Sequence, residues 1–195
     1  MKFIGVSGLN CSGKDTLVHY LHREYGIPVL SLGDEVRKIA AYEDIEPTRQ
    51  NLHEISWRYM FLTGGEFFAQ KIIQKIEKQH LTSSAVTGIR TPADVTSLKR
   101  HFGNGFILVH VKVDDPYLRF MRSRARGAER DPQKLEDFLR AEKEEKELFH
   151  MQETEKFSDI IIDNSGSLED FHTAIEETIV QPLFIKVHRL KKHIV

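Results

Sequence analysis

Residues 8 to 16 read Gly-Leu-Asn-Cys-Ser-Gly-Lys-Asp-Thr, directly after the apolar run Phe3-Ile4-Gly5-Val6 and at the start of a stretch with helical spacing. Gly8 and Gly13 let the backbone curl until successive N–H groups face one anion. Lys14 adds a mobile positive charge, and the N-terminus of the following helix adds its dipole. The three effects converge on a polyphosphate. The segment therefore reads as the cradle of a nucleoside triphosphate, with Gly8, Asn10, Cys11, Ser12, Gly13, Lys14, Asp15 and Thr16 around the phosphates. The strict phosphate-loop pattern would place a Mg²⁺-binding hydroxyl at Asp15, and here the hydroxyl comes one residue later. Asp15 and Thr16 are the candidate ligands, directly or through water, with Asp34 a further one. Cys11 is the single cysteine. It sits where positive fields favour a thiolate, or it is simply a small loop residue.

Three further groups have the types and spacing for phosphate chemistry. Leu30-Ser31-Leu32-Gly33-Asp34-Glu35-Val36-Arg37 leaves an apolar run and enters a helical pattern, with Gly33 permitting close backbone approach and Arg37 able to fork onto a phosphate. The alternative makes Asp34 a helix N-terminal charge and Arg37 a surface cation. In Gly88-Ile89-Arg90 an arginine lies just past a strand end, where ligands of parallel sheets bind; pairing of Arg90 with Asp94 at helical spacing is the structural alternative. Arg119, Arg122, Arg124, Arg126 and Arg130 gather around Gly127. Arginines brought in by a closing segment neutralise a phosphoryl group in transfer and exclude water. A turn at Asn164-Ser165-Gly166-Ser167 offers backbone to the base of a nucleotide, or is an Asx-type turn followed by a helix cap.

These residues need a frame. Apolar runs at 3–6, 27–30, 85–89, 106–113 and 159–163, mostly separated by helical spacing, predict an α/β fold with a five-stranded parallel sheet flanked by helices. Helices are expected over 14–25, 34–42, 92–102, 115–126 and 132–150. Two more fall between Pro47 and His80, split by Thr63-Gly64-Gly65, as an insert between the second and third strands. Within it Trp57, Tyr59, Phe61, Phe67 and Phe68 are expected to form a local core. The charge run 142–147 reads as a solvated helix face with local ion pairs. The chain has 195 residues, 40% of them hydrophobic, enough for one buried α/β domain. Its net charge of −1 speaks against a nucleic-acid or membrane field over the whole surface, and no apolar stretch is long enough to span a bilayer. A cytoplasmic protein is expected. Histidines such as His19 and His22 lack a metal-ligand partner at fixed spacing.

Lys14-Asp15-Thr16 resembles the loop of nucleoside monophosphate kinases of the adenylate kinase type. The stretch Ser31 to Arg37 resembles the element of those enzymes that surrounds the acceptor phosphate, and Gly88-Ile89-Arg90 looks like a version, shortened by one residue, of the region that presents an arginine to it. The segments from Arg119 to Pro132 and from Ile162 to Glu169 are similar to an archaeal family of adenylate kinase-related proteins. The likeness spans most of residues 1–172. It implies one P-loop kinase domain over 1–180: a core of 1–33, 81–118 and 151–180, an acceptor-binding insert at 34–80 and a lid at 119–135, with a basic tail over 181–195. It further implies ATP and Mg²⁺ as cofactors and a small-molecule phosphate acceptor, a nucleoside or deoxynucleoside monophosphate. Lys14, Arg90, Arg122, Arg126 and Arg130 would be catalytic. Asn164 and Gly166 would join the donor contacts, while Ser31, Gly33, Asp34, Arg37, Gly88 and Arg90 would bind the acceptor. The chain also resembles dephospho-coenzyme A kinase, whose hydroxyl acceptor needs an aspartate base that Asp34 could supply. A regulatory NTPase is the rival of another class, disfavoured because a switch needs γ-phosphate-sensing loops more than an arginine clamp. No membrane or nucleic-acid partner is expected, and the oligomeric state is left open.

Overall fold

In a computed structural model that describes residues 2–128 and 131–184, all five apolar runs become strands: β1 (Lys2–Ser7), β2 (Val29–Ser31), β3 (Ser83–Thr87), β4 (Phe106–Lys112) and β5 (Ile160–Asp163). They form one parallel sheet in the order β2-β3-β1-β4-β5. The expected third strand at 85–89 starts and stops earlier because Gly88, at φ 82°, turns the chain out of the sheet. Ile89 and Arg90 then belong to the loop beyond the strand end.

The helices are α1 (Lys14–Tyr25), α2 (Leu32–Tyr42), α3 (Arg49–Thr63), α4 (Phe67–Lys78), α5 (Pro92–Phe102), α6 (Pro116–Arg126), α7 (Leu135–Leu148), α8 (Met151–Glu155) and α9 (Leu168–Ile175), the last running into a π-helical turn over Glu176–Val180. Local chemistry sets their ends. Gly26 and Gly64 close α1 and α3 in the left-handed conformation that glycine adopts at little cost. α2 begins two residues before the predicted position because the Ser31 hydroxyl accepts the Asp34 N–H at 3.3 Å. Thr91 and Asp94 form a reciprocal capping box at the start of α5, with Pro92 in its first turn, so that two otherwise orphaned N–H groups are satisfied. The helix predicted over 132–150 is α7, shorter at both ends, and the separate short helix α8 follows it after His150, whose φ is 50°.

The two faces of the sheet carry separate cores. Ile4 and Val6 pack with Leu17, Leu21, Phe171 and Ile175 of α1 and α9. Phe3 and Leu108 pack with Val36, Ile72, Val95 and Leu98 of α2, α4 and α5. Gly5 is required on that second side, since a Cβ there would lie 2.4 Å from Phe106. Two expectations about side chains fail. Trp57 and Phe61 are not in the core of the insert: they stack on each other with ring centroids 5.5 Å apart and are 49% and 74% exposed. Tyr59, Phe67 and Phe68 do form a mutual cluster. The 142–147 run is likewise not solvated throughout, because Glu142 and Glu145 are buried. Among the described residues, no helix is long and apolar enough to cross a membrane.

Candidate active site

The loop between β1 and α1 is built around two glycines that nothing larger could replace. At Gly8 (φ 139°) a Cβ would sit 2.4 Å from the Val111 carbonyl oxygen, and at Gly13 (φ 108°) it would sit 2.2 Å from the Asn164 amide nitrogen. That amide donates to the Ser12 carbonyl at 2.7 Å, tying the turn after β5 to the loop. Lys14 starts α1, and its ammonium donates to the Leu9 carbonyl at 2.6 Å. Burial lowers its pKa to about 8, opposed by the nearby Asp15 and Glu145 carboxylates. A cation so poorly hydrated is poised for an anion. Asn10 Nδ2 and one Arg122 nitrogen are buried donors without a hydrogen-bond partner.

Two cavities open on this loop. Cys11, Gly13, Thr16, Arg122, Asn164 and Leu168 line the first. The second is lined by Ser31, Gly33, Val36 and Arg37 from the β2–α2 junction, Arg49, Leu52, His53, Ser56 and Met60 from α3, Gly88, Arg90 and Asp94 beyond β3, and Glu145 and Phe149 at the end of α7. Asn10, Lys14, Asp15 and Arg126 line both. Asp15 also accepts a hydrogen bond from Thr87 at 3.3 Å.

Most of the residues singled out in the sequence gather here, but not all. Gly8 and Ser12 shape the loop from behind and do not line either cavity. Asp34 is also off the wall: its side chain is 57% exposed and pairs with Arg37. Gly166 lies outside the lining. Asp163 accepts the Ser165 N–H at 2.8 Å and Ser167 shares a capping box with Asp170, so the turn-and-cap account explains that loop. Asn164 alone reaches the cradle. Of the clustered arginines, Arg122 donates to the Asn164 carbonyl at 2.8 Å. Arg126 is gripped by Asp131 through two bonds of 2.9 and 2.7 Å. Arg124 lines neither cavity, and Arg130 lies outside the described residues. Arg119 is no lid residue at all. It is 2% exposed, donates to the Val113 and Asp114 carbonyls and forks onto Glu142 at 2.7 Å. The guanidinium of Arg90 turns away from Asp94 toward Glu145, 3.4 Å away; Asp94 accepts the backbone N–H groups of Arg90 and Thr91 instead.

Sequence reasoning did not identify Arg49, His53, Asp131, Glu145 and Phe149. Arg49 carried a faint signal as the first helical residue after the Thr48 cap. Glu145 was hidden in the charge run, where only its three-residue spacing from Glu142 hinted at a shared buried face. Phe149 stacks under the Arg90 guanidinium at 5.2 Å and meets His53 edge-on. Burial lowers the pKa of His53, which favours the neutral ring.

A family model described as an AAA domain matches residues 7–139. The UPF0200 protein of Methanosarcina barkeri is 30% identical over 179 residues, which cover 92% of this chain and 95% of that one. The chain belongs to the UPF0200 family. The UPF0200 protein of Pyrococcus abyssi is 32% identical, with 92% of this chain and 96% of that one covered. Against the UPF0200/UPF0201 protein of Archaeoglobus fulgidus, 32% identical over 184 residues, this chain spans only 56% of the relative's length. Among solved structures, a gluconokinase from Sinorhizobium meliloti superposes with a TM-score of 0.57 at 15% identity, covering 98% of this chain and 94% of that one. A sugar kinase from Janibacter gives 0.53, also at 15% identity, covering 91% and 93%. This UPF0200 protein therefore has the fold of P-loop kinases.

Proposed function

We propose that this UPF0200 protein is an ATP-dependent phosphotransferase whose acceptor is a small phosphate monoester, a nucleoside or deoxynucleoside monophosphate. The observation that carries this reading is the meeting of two cavities at Lys14, Asn10, Asp15 and Arg126, one along the phosphate loop and one rich in arginine. Transfer between two phosphates requires a donor and an acceptor that share a wall, with cations at the wall.

In this scheme the loop N–H groups, Lys14 and Arg122 hold the triphosphate, and the unpartnered Asn10 amide takes a phosphate oxygen. Arg37, Arg49 and Arg90 grip the acceptor anion, while Arg126 reaches the transferred group from between them. Such an acceptor is already anionic, so no strong base is needed, and catalysis is positioning plus charge stabilisation. The described residues contain no cluster of three or more His, Cys, Asp or Glu that could hold a metal. That suits Mg²⁺, which keeps its waters and takes one or two protein oxygens besides phosphate. Asp15 and Thr16, both on the donor cavity, would hold it. When bound, the ion would neutralise charge on the triphosphate. The dephospho-coenzyme A alternative loses its base, because Asp34 is exposed and engaged with Arg37.

Coupled turnover with Mg-ATP against ribo- and deoxynucleoside monophosphates, dephospho-coenzyme A and gluconate tests the reading, with Lys14→Ala as control. Turnover dependent on one monophosphate and lost in the control is expected. Stimulation by dephospho-coenzyme A or gluconate alone would replace the monophosphate acceptor with a hydroxyl. Hydrolysis indifferent to every acceptor would revive the regulatory NTPase.

A further inference from the structure

Each of four arginines on the acceptor cavity already faces a carboxylate of its own chain. Arg37 pairs with Asp34 one turn away on the same helix, and Arg126 with Asp131 through two short bonds. Glu145 is different. It stands 3.4 Å from Arg90 and 3.6 Å from Arg49, two guanidinium groups carried by separate elements. Both distances are long for a charge-assisted hydrogen bond, and no hydrogen bond to this carboxylate is formed among the described residues. Yet its side chain is only 7% exposed. Burial alone would raise its pKa, but Arg90, Arg49, His53 and Lys14 together hold it below the ordinary carboxylate range. An ionised, dehydrated and under-bonded carboxylate thus occupies the centre of a cationic cluster.

We infer that Glu145 is a specificity-determining residue of the acceptor cavity: it holds the place of an anion between Arg49 and Arg90, turning away free inorganic phosphate and yielding only to a phosphate monoester whose organic part fills the cavity's apolar end. This rests on the acceptor assignment above. A tethered carboxylate competes at high effective concentration with any small anion and repels one that docks beside it. Inorganic phosphate brings charge and nothing else. A monoester carrying a base or other flat apolar group also gains contact with Val36, Leu52, Met60 and Phe68, a contribution that Glu145 cannot match. Its phosphate can then close to hydrogen-bond distance on the two arginines, which the carboxylate does not do. Specificity arises because the competing ligand is penalised as well as the correct one rewarded.

The test is calorimetric titration of inorganic phosphate into the folded protein, with the phosphate loop saturated by a non-hydrolysable ATP analogue and Mg²⁺. Glu145→Gln should bind phosphate at least about tenfold more tightly than the unaltered chain, as loss of one nearby like charge predicts. A further Arg90→Ala change should remove the gain. Unchanged or weaker binding in Glu145→Gln, or a gain that survives Arg90→Ala, would overturn the inference and leave Glu145 as a support for the arginines. Glu145→Ala carries the same expectation should the Gln variant fail to fold. The readout needs no turnover, so a protein inactive toward every acceptor would fail the kinase reading without deciding this one.

Discussion

Lys14 shows how function and stability compete at a single residue. Its ammonium is only partly exposed and desolvation lowers its pKa from 10.5 to about 8, so below pH 8 the folded chain bears the full cost of a poorly hydrated cation. Between about pH 8 and 10.5 the unfolded chain binds more protons than the folded one, and that cost relaxes as pH rises. Lys14→Met should therefore abolish transfer and raise the melting temperature of the nucleotide-free protein. In a chain of this size each kcal/mol recovered is worth roughly 2–4 °C. Calorimetry checks it, and a lower melting temperature would mean that the Leu9 hydrogen bond outweighs the desolvation. Asp94 poses the same conflict with the opposite sign of charge. Burial raises its pKa from 3.8 to about 6 against the hydrogen bonds it accepts from Thr91 and Arg90. Between about pH 4 and 6 the folded state holds a proton that the unfolded chain releases, so this group's contribution to stability grows as pH falls through that window. In Asp94→Asn that component should vanish. Urea midpoints of the two proteins, plotted as a difference across pH 4 to 7, should slope through the window; a flat difference would mean that Asp94 titrates normally.

At the scale of elements, Arg119 and Glu142 pin α6 to α7 on either side of the arginine-bearing loop. The pair is 2% and 8% exposed, and Arg119 also bonds the carbonyls that end β4's exit loop. Removal of one partner strands a buried charge, so Glu142→Gln should cost about 3 kcal/mol. Arg119→Met combined with Glu142→Leu should recover most of it, because no fully buried charge is then left unpaired; Lys146, which also bonds Glu142 at 2.8 Å, is partly exposed and can turn to solvent. Urea denaturation of the unaltered chain and the two variants decides this, and a double variant no more stable than Glu142→Gln would exclude a coupled pair. The same two residues mark where sequence legibility ends. Helix ends were legible because Gly26, Thr91 with Pro92, and Ser167 act on backbone within a turn of themselves, Thr91 and Ser167 through their hydroxyls. The burial of Glu142 and Glu145 was not, since it depends on arginines 23 and 55 or more residues away in sequence. Trp57 and Phe61 erred the other way: their residue type suggested a core, but the α3 face toward α4 is supplied by Ile55 and Tyr59.

For the whole molecule, strand number, direction and the helical insert were legible because apolar runs and helical spacing alternate along the chain. The acceptor wall was legible only in part, because α3 and α7 reach it from two segments with no phosphate motif. That division makes a prediction about separability. Beyond the shared Asn10, Lys14, Asp15 and Arg126, the proposed donor cavity draws on α1, α6, α9 and the turn after β5, whereas the proposed acceptor cavity draws on α2, α3, α4, α5 and α7, so a change on the far wall of the latter should leave donor binding intact. A triphosphate analogue at a hundredfold excess over its dissociation constant stabilises the native state by about 2.7 kcal/mol, a rise of roughly 5–10 °C for a protein of this size. Arg37→Ala should keep that rise while weakening acceptor binding, and Lys14→Ala should lose it. Thermal melts of the three proteins with and without the analogue measure the rise, and the same melts with a nucleoside monophosphate added measure the weakened acceptor binding. An equal loss in Arg37→Ala would mean that the cavities form one site, and that the wall at Lys14 and Arg126 does not divide donor from acceptor.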